Sequence, residues 1–462
     1  MGWSRAPGWP RRHRCSFASR AAPASTSLLW ATTCATLDVR LSWTRGPITS
    51  RCPPSAICWR VRHRPLTEQG SFPMKRWLLG LFSLPGFAQQ VQLPGLQELR
   101  IGAGVQITGI YTRGTLADIS KQGRLEPVDD RFDLAIRRAR LTVSGRIRND
   151  LDFRVIFYYD NVGRDRFTGT RGTPSEGNVG IWDAFWMWSA RPGWLHLTIG
   201  YFRPQLGREH ITSGFQTNSS MDKLPTQNYL RFHAIGRSNG RETGINAGGL
   251  YLGRGWSVNY NAGFFDASHE KLVGEAYGGQ RWSPLLVGRL ALTLGQPEMS
   301  NYGIDYQINY FGRRRGITGA LNYSHQGHTN VFSKNEVAGF DVLANYGPLN
   351  FDAEFESLRR LRLDGARYRD RVWHVRTGYN IRARTGWVEP VVAVMRFTGS
   401  PLSVWANGRD RVTDLGVNWY VQQTRIKFNV HYTRQSGCPL SGYDDGKIRR
   451  GNMVGLGIQL VY

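Results

Sequence analysis

The chain has 462 residues and a formal charge of +26, with 54 Gly, 16 Trp, 19 Tyr and 21 Phe. Glycine and aromatic content of this order, without low complexity, excludes disorder for most of its length. No run of eighteen or more apolar residues occurs, which excludes a helical membrane span, and basic residues dispersed along the chain rather than gathered in one patch argue against nucleic acid as a partner.

Residues 1–73 read unlike the rest. They hold Cys15, Cys34, Cys52 and Cys58, four of the five cysteines, among scattered Arg, Pro and Ser with no helix or strand period. The cysteine spacings match no zinc-ligand pattern. Met74-Lys-Arg-Trp then opens a short apolar core that closes on the small residues Gly86 and Ala88, the layout of a secretory signal. Such a signal must begin a chain to be read, so Met74 is expected to be the true start. The expected plan is an upstream extension over 1–73, non-native or disordered, a signal peptide over 74–88, and one mature domain over 89–462 whose first residues, 89–97, form a tail. Residues 89–462 carry 47 basic and 32 acidic residues, net +15, and one cysteine, Cys438, so no disulfide can form within them.

From Leu99 onward the chain alternates. Ile101, Ala103, Val105 and Ile107 face one way in the first strand, with Arg100, Gln106 and Thr108 on the other side. In the second, over 132–148, Ala139, Leu141, Val143 and Ile147 oppose Arg138, Arg140, Thr142, Ser144 and Arg146. Asn149-Asp150 is a two-residue turn, the favoured hairpin length, and Leu151, Phe153, Val155 and Phe157 form the apolar face of the third strand. Further strands are expected at about 179–190, 194–203, 242–252, 256–266, 285–294, 302–311, 335–346, 349–360, 370–381, 387–398, 411–422 and 424–435. The last, Gly451–Tyr462, sets Val454, Leu456, Ile458, Leu460 and Tyr462 against Gly455, Gly457 and Gln459.

Strands of about ten residues, apolar on one face and polar on the other, span a bilayer in a closed barrel. Tight turns alternate with long polar connections, as short periplasmic turns and long outer loops do. Ile317–Gln326 also has strand character and would make seventeen. A barrel with both termini inside needs an even number, so 312–334 is read as one outer loop. The fold class is all-β: a 16-stranded antiparallel transmembrane barrel of the bacterial outer membrane, bathed in its lipid. Trp182, Trp186, Trp188, Trp194, Tyr201, Trp373, Tyr379, Trp387 and Tyr432 are expected to face lipid at the strand ends.

The inner face carries Arg138, Arg140, Arg146, Arg148, Arg154, Arg289, Arg376, Arg382, Arg396 and Lys427. Arginine presents a planar fork of donors matched to phosphate oxygens, and rings or ladders of it concentrate anions in a pore. Asp152, Asp160, Asp183, Asp341, Asp352, Glu354 and Glu356 share that face, so many of these arginines are expected to pair across strands. The 38-residue connection 204–241, the third outer loop, holds Arg208, His210, Lys223, Arg231, His233 and Arg241 against Glu209 and Asp222. A loop of that length can fold into the lumen and narrow it.

Four stretches in order, Ile136-Arg-Arg-Ala-Arg-Leu141, Gly200-Tyr-Phe-Arg-Pro-Gln-Leu-Gly-Arg-Glu209, Thr243-Gly-Ile245 and Leu415-Gly-Val-Asn-Trp-Tyr420, resemble the phosphate-selective porins O and P over about 95–462. The resemblance implies a homotrimeric channel with a phosphate or pyrophosphate site where the third outer loop constricts it. Arg137 and Arg138 match the family's paired arginines, with Arg203 just before the loop and Arg208 inside it, two residues ahead of His210. The family's central lysine falls on His210, which makes the narrowest point less surely cationic. Arg137 has the outward parity of a regular strand, so its role needs a local bulge.

No Gly-rich phosphate loop, His-Glu-x-x-His or Gly-x-Ser-x-Gly occurs, and neither an enzyme nor a cofactor is expected. His431 reads as polar lining. The function expected is passive uptake of inorganic phosphate, polyphosphate or other small anions. The alternatives are a general or differently selective porin from the same scaffold, and a structural or adhesin barrel if the pore is plugged.

Overall fold

In the computed structural model, residues 95–462 are described apart from 121–123, 171–177, 219–221, 237–238, 268–280, 401–408 and 438–447; the expected extension, the signal peptide and Cys438 lie outside the described residues. The alternation resolves into sixteen long strands. In chain order they are β1 (Glu98–Arg113), β2 (Arg131–Arg148), β3 (Leu151–Tyr158), β4 (Gly180–Arg191), β5 (Leu195–Phe202), β6 (Glu242–Gly253), β7 (Trp256–Phe265) and β8 (Leu285–Gly295). There follow β9 (Arg315–Gln326), β10 (Lys334–Tyr346), β11 (Leu349–Leu361), β12 (Arg367–Tyr379), β13 (Trp387–Thr398), β14 (Arg409–Tyr420), β15 (Ile426–Gly437) and β16 (Asn452–Val461). Every neighbour pair is antiparallel, and β1 bonds both β2 and β16, the latter from Gly104 opposite Val461 to Arg113 opposite Asn452. The sheet is a closed barrel, which leaves no edge and so lets backbone polar groups sit in lipid.

Its polarity is inverted relative to a water-soluble core. On β16, Val454, Leu456, Ile458 and Leu460 keep 37–54 % of their surface, while Gln459 between them is fully buried. Leu290, Leu292 and Leu294 of β8 and Leu321 of β9 are likewise exposed outward, and Asn246, Asn259, Asp341 and Asn418 are buried inward. Trp186, Trp188, Trp194, Tyr346, Tyr379 and Tyr462 sit exposed toward the end that bears both termini and the tight turns, which is the periplasmic end. Two of the expected lipid-facing tryptophans turn inward. Trp182 sits at a register shift between β3 and β4, and Trp387 follows the parity of the buried Glu389 and opposes Tyr420.

The count of sixteen holds, but the ninth strand differs. Residues 302–311, expected as a strand, are instead part of the 296–314 connection at the periplasmic end, and the expected outer loop 312–334 contains β9. The misreading has a physical cause. Tyr302, Ile304, Tyr306, Ile308 and Tyr310 alternate with polar residues and are all buried, as in a strand. They pack inside the barrel instead of pairing in its wall; a backbone bridge, Thr212 to Tyr306, and the Arg208–Glu298 ion pair tie the 296–314 segment to the third outer loop.

The third outer loop folds into the lumen as expected. It contains α1 (Arg208–Ile211) and α2 (Thr226–Ala234). Past α2, Gly236 at φ 82° lets its N–H and that of Ile235 both bond the Arg231 carbonyl, closing the helix end. Tyr229, Leu230 and Phe232 seat the helix against Val337, Leu358, Val372 and Phe397 of β10–β13. Tyr229 stacks on Phe397 at 3.8 Å and donates to Asp410 Oδ2 at 2.7 Å.

Candidate functional site

Strand β2 supplies the bulge that Arg137 requires. Gln106 opposes Arg138 and Ile107 opposes Ile136, so Arg137 is the extra residue and both arginines reach the same side. They clasp the third outer loop. Arg137 Nε donates to Asp222 Oδ1 at 2.5 Å and Arg138 Nη2 to the same oxygen at 3.3 Å; Arg137 also donates to Asn161 and Arg138 to Gln106 Oε1. Burial pushes the Asp222 carboxyl up, but Arg137, Arg138 and Arg164 outweigh it and hold the group below the ordinary carboxylate range.

Arg140, next inward on β2, pairs with Asp160 through both terminal nitrogens and lies 4.1 Å from the centre of the Trp182 ring. Arg241 covers the same indole at 3.7 Å and donates to Asp183 Oδ1 at 3.0 Å. Trp182 therefore carries two guanidiniums. Burial pushes Arg241 down to about 9 against the pull of Asp183, so it remains charged at neutral pH.

A second cluster fixes α1 to the far wall. Arg208 donates to Asp341 at 2.9 Å and to both oxygens of Glu298 at 2.8 and 3.0 Å, while Arg289 of β8 shares Asp341 at 2.8 Å. Arg376 of β12 bridges Glu209 at 2.8 Å and Asp352 at 2.9 Å, and His374 meets Asp352 at 3.0 Å. Glu209, Asp352 and His374 offer three metal-type ligand atoms within 4.8 Å of one another. The Arg376 guanidinium already supplies positive charge to both carboxylates, so this group is a latch between loop and wall.

His210 is fully buried; Arg231 Nε donates to its Nδ1 at 3.3 Å, and its Nε2 has no hydrogen-bond partner among the described residues. Burial, then Arg231, Arg203, Lys223 and Arg241, push its pKa well below the ordinary histidine value. It is neutral at pH 7. Arg203 spends one nitrogen on the carbonyls of His210, Ile211 and Thr212 at 2.7–2.8 Å, bracing the end of α1.

Of the other expected pore residues, Arg146 pairs with Asp152 at 2.9 Å and Arg154 with Asp305; both keep a third or more of their side-chain surface. Arg396 is a correction. It is exposed on the outward parity of β13, opposite Trp373, because Met395 and Phe397 beside it are the in-facing pair. Arg148 and Arg382 lie exposed at periplasmic turns. Trp182, Arg241, Asp160 and the acids Glu298 and Asp305 were not singled out as site residues. Asp160 lay in view as an acid on the inner face, but the 296–314 segment hid its two acids by resembling wall.

Two arrangements emerge at the scale of the lumen. Arginines 138, 140, 154, 203 and 241 gather on or beside β2–β6, and Asp341, Asp352, Glu354, Glu356 and Glu389 on β10–β13, about eight strands away and so across the barrel. Water reaches these sides unequally. Among the described residues, in-facing side chains that keep appreciable surface include Glu98 and Arg100 of β1, Thr142, Ser144 and Arg146 of β2, Asp152, Arg154, Ile156 and Tyr158 of β3, Trp182, Met187 and Ser189 of β4, and Gln435 near the outer end of β15. On β6–β14 the in-facing side chains are buried beneath the two in-folded segments, apart from Leu252 and Trp387 near the periplasmic rim. His431 Nδ1 lies 3.2 Å from Asp414 and 3.1 Å from Thr433, as wall lining.

No family model matches the chain, and no curated protein matches it in sequence. Solved structures do match in shape. OprB of Pseudomonas putida, in its high-pH structure, overlays with a TM-score of 0.53 at 11% identity, covering 79% of this chain and 94% of that one. OmpF of Salmonella typhi in complex with daunomycin gives 0.49 at 11%, covering 81% and 100%. An anion-selective porin from Comamonas acidovorans gives 0.48 at 12%, covering 79% and 99%. The likeness to OprB, at such identity, shows the fold alone: a porin-like barrel. Closed, sixteen-stranded and apolar on its outer surface, it belongs to the bacterial outer membrane.

Proposed function

We propose that this barrel is a channel for passive uptake of small anions, with phosphate or polyphosphate as its main class and a homotrimer as its working form. One observation carries the reading: arginine is in excess on the side of the lumen that water reaches, while the acids of β10–β13 are covered. Arg146, Arg154 and Arg140 are each matched by an acid there, but Arg137 and Arg138 share Asp222 and Arg203 is held by backbone carbonyls. A charge-bearing wall next to water sets which ion is enriched, and a low-dielectric barrel focuses that field. Preference for phosphate rests on the resemblance to the phosphate-selective porins O and P, supported here by the Arg137–Arg138 bulge. In keeping with the same reading, residues 74–88 act as the export signal and 1–73 are no part of the mature barrel.

A second reading has its own observation. Wall side chains are covered over many strands, as in a plugged structural barrel. Planar bilayers separate the two. Chloride current through the purified protein, titrated with inorganic phosphate, is expected to fall at phosphate concentrations well below those of chloride. Current with no phosphate block leaves a general porin, and no current at all leaves the plugged barrel.

A further inference from the structure

The 296–314 segment enters the barrel from the periplasmic end and is tied there mainly by neutral bonds. Tyr302 donates to Asn261 Oδ1 at 2.7 Å, Tyr306 to Asn259 Oδ1 at 2.8 Å, and Asn345 donates to the Ile308 carbonyl at 3.0 Å. It carries two acids in unlike settings. Glu298 is buried against Arg208. Asp305 pairs with Arg154, yet its side chain keeps 50 % of its surface and that of Arg154 keeps 33 %. Arg154 lies four residues above the Asn149-Asp150 turn, on the part of the wall that water reaches. A carboxylate with half its surface free, held inside a barrel and beside that wall, faces lumen water.

We propose that Asp305 is a selectivity-determining residue: the periplasmic segment places it over Arg154, where it cancels one wall charge and forms a second charged constriction in series with the third outer loop. The proposal rests on the reading of the barrel as a channel. Asp305 and Arg154 then act in opposite senses on any ion that passes. Neutralising the acid favours anions, neutralising the arginine favours cations, and removing both returns the path near its starting balance.

Reversal potentials of the full-length protein in a KCl gradient test this. Asp305→Asn is expected to raise the chloride-to-potassium permeability ratio about two- to threefold at 0.05 M salt, the gain fading toward 1 M as the Debye length shrinks to ~3 Å. Arg154→Gln is expected to lower the ratio by a similar factor, the double variant to restore it, and Asp305→Glu to leave it unchanged. An unchanged ratio in Asp305→Asn at low salt, or an equal shift in Asp305→Glu, overturns the assignment. A wild-type channel that prefers potassium contradicts the anion reading above, while the shift between variants still decides this one.

Discussion

His210 and Asp222 belong to the same loop but respond to acid in different windows. The His210 pKa is depressed by burial and by the cations around it, whereas in an undocked loop it would titrate near 6.5. Between those values the undocked loop binds more protons, so docking weakens as pH falls below about 6.5, by up to ~1.4 kcal/mol per pH unit. Asp222 is held low by its arginines, so its contribution is complete above about 4 and is lost only below that. Hydrogen exchange of amides 208–234, corrected for intrinsic rate, is therefore expected to speed up from pH 7 to 5 in the wild type and to do so less in His210→Gln. Equal slopes in the two proteins would show that His210 takes no part. The neutrality of this histidine was legible from its type, and its setting among Arg203, Lys223 and Arg231 was not, because loop contacts carry no period. The bulge at Arg137 was legible only as a requirement: parity denied it the lumen, and one extra residue in β2 gave it access. Arg396 fails for the converse reason, since parity alone placed it and the strand's true phase is fixed by Met395 and Phe397.

A strand and an in-folded segment can share one pattern, and 296–314 shows why. Period two reports an extended chain with unlike faces; it does not say whether the apolar face meets lipid or the inside of a wall. Tyr302 and Tyr306 have hydroxyls that need partners, and the wall supplies Asn246, Asn259 and Asn261, which lipid could not; Tyr310 donates instead to the Glu298 carbonyl of its own segment at 3.0 Å. Gly312-Arg-Arg-Arg315 marks the membrane edge at the start of β9 and, with the strand character of Ile317–Gln326, is the local sign of the true boundary. If these tethers hold the segment, Tyr306→Phe removes one donor from Asn259 Oδ1, which still accepts from Asn261 at 3.2 Å, at a cost of about 0.5–1.5 kcal/mol. Exchange of amides 300–310 is expected to rise about two- to tenfold with the barrel intact. Exchange unchanged there would mean that burial of Ile304 and Ile308 alone seats the segment.

At the scale of the molecule, strand number, closure and polarity followed from alternation and the terminal strand, because a barrel wall imposes one period throughout. What fills the lumen did not follow, since contacts between segments far apart in sequence leave no such mark. The two in-folded segments meet at Thr212 and Tyr306 and cover most of the wall, leaving water on the β2–β4 side. On that side Arg146 and Arg154 are each matched by an acid, Asp152 and Asp305, with further arginines behind them, while the acids of β10–β13 lie beneath the fill; the proposal of anion conduction rests on this asymmetry. The most direct test is the reversal potential of the wild-type protein, purified from outer membranes, across a tenfold KCl gradient at low ionic strength. The account predicts a potential displaced toward the chloride equilibrium value and relaxing toward zero as salt is raised. A potential displaced toward that of potassium, or a silent bilayer with correctly assembled protein, would contradict it.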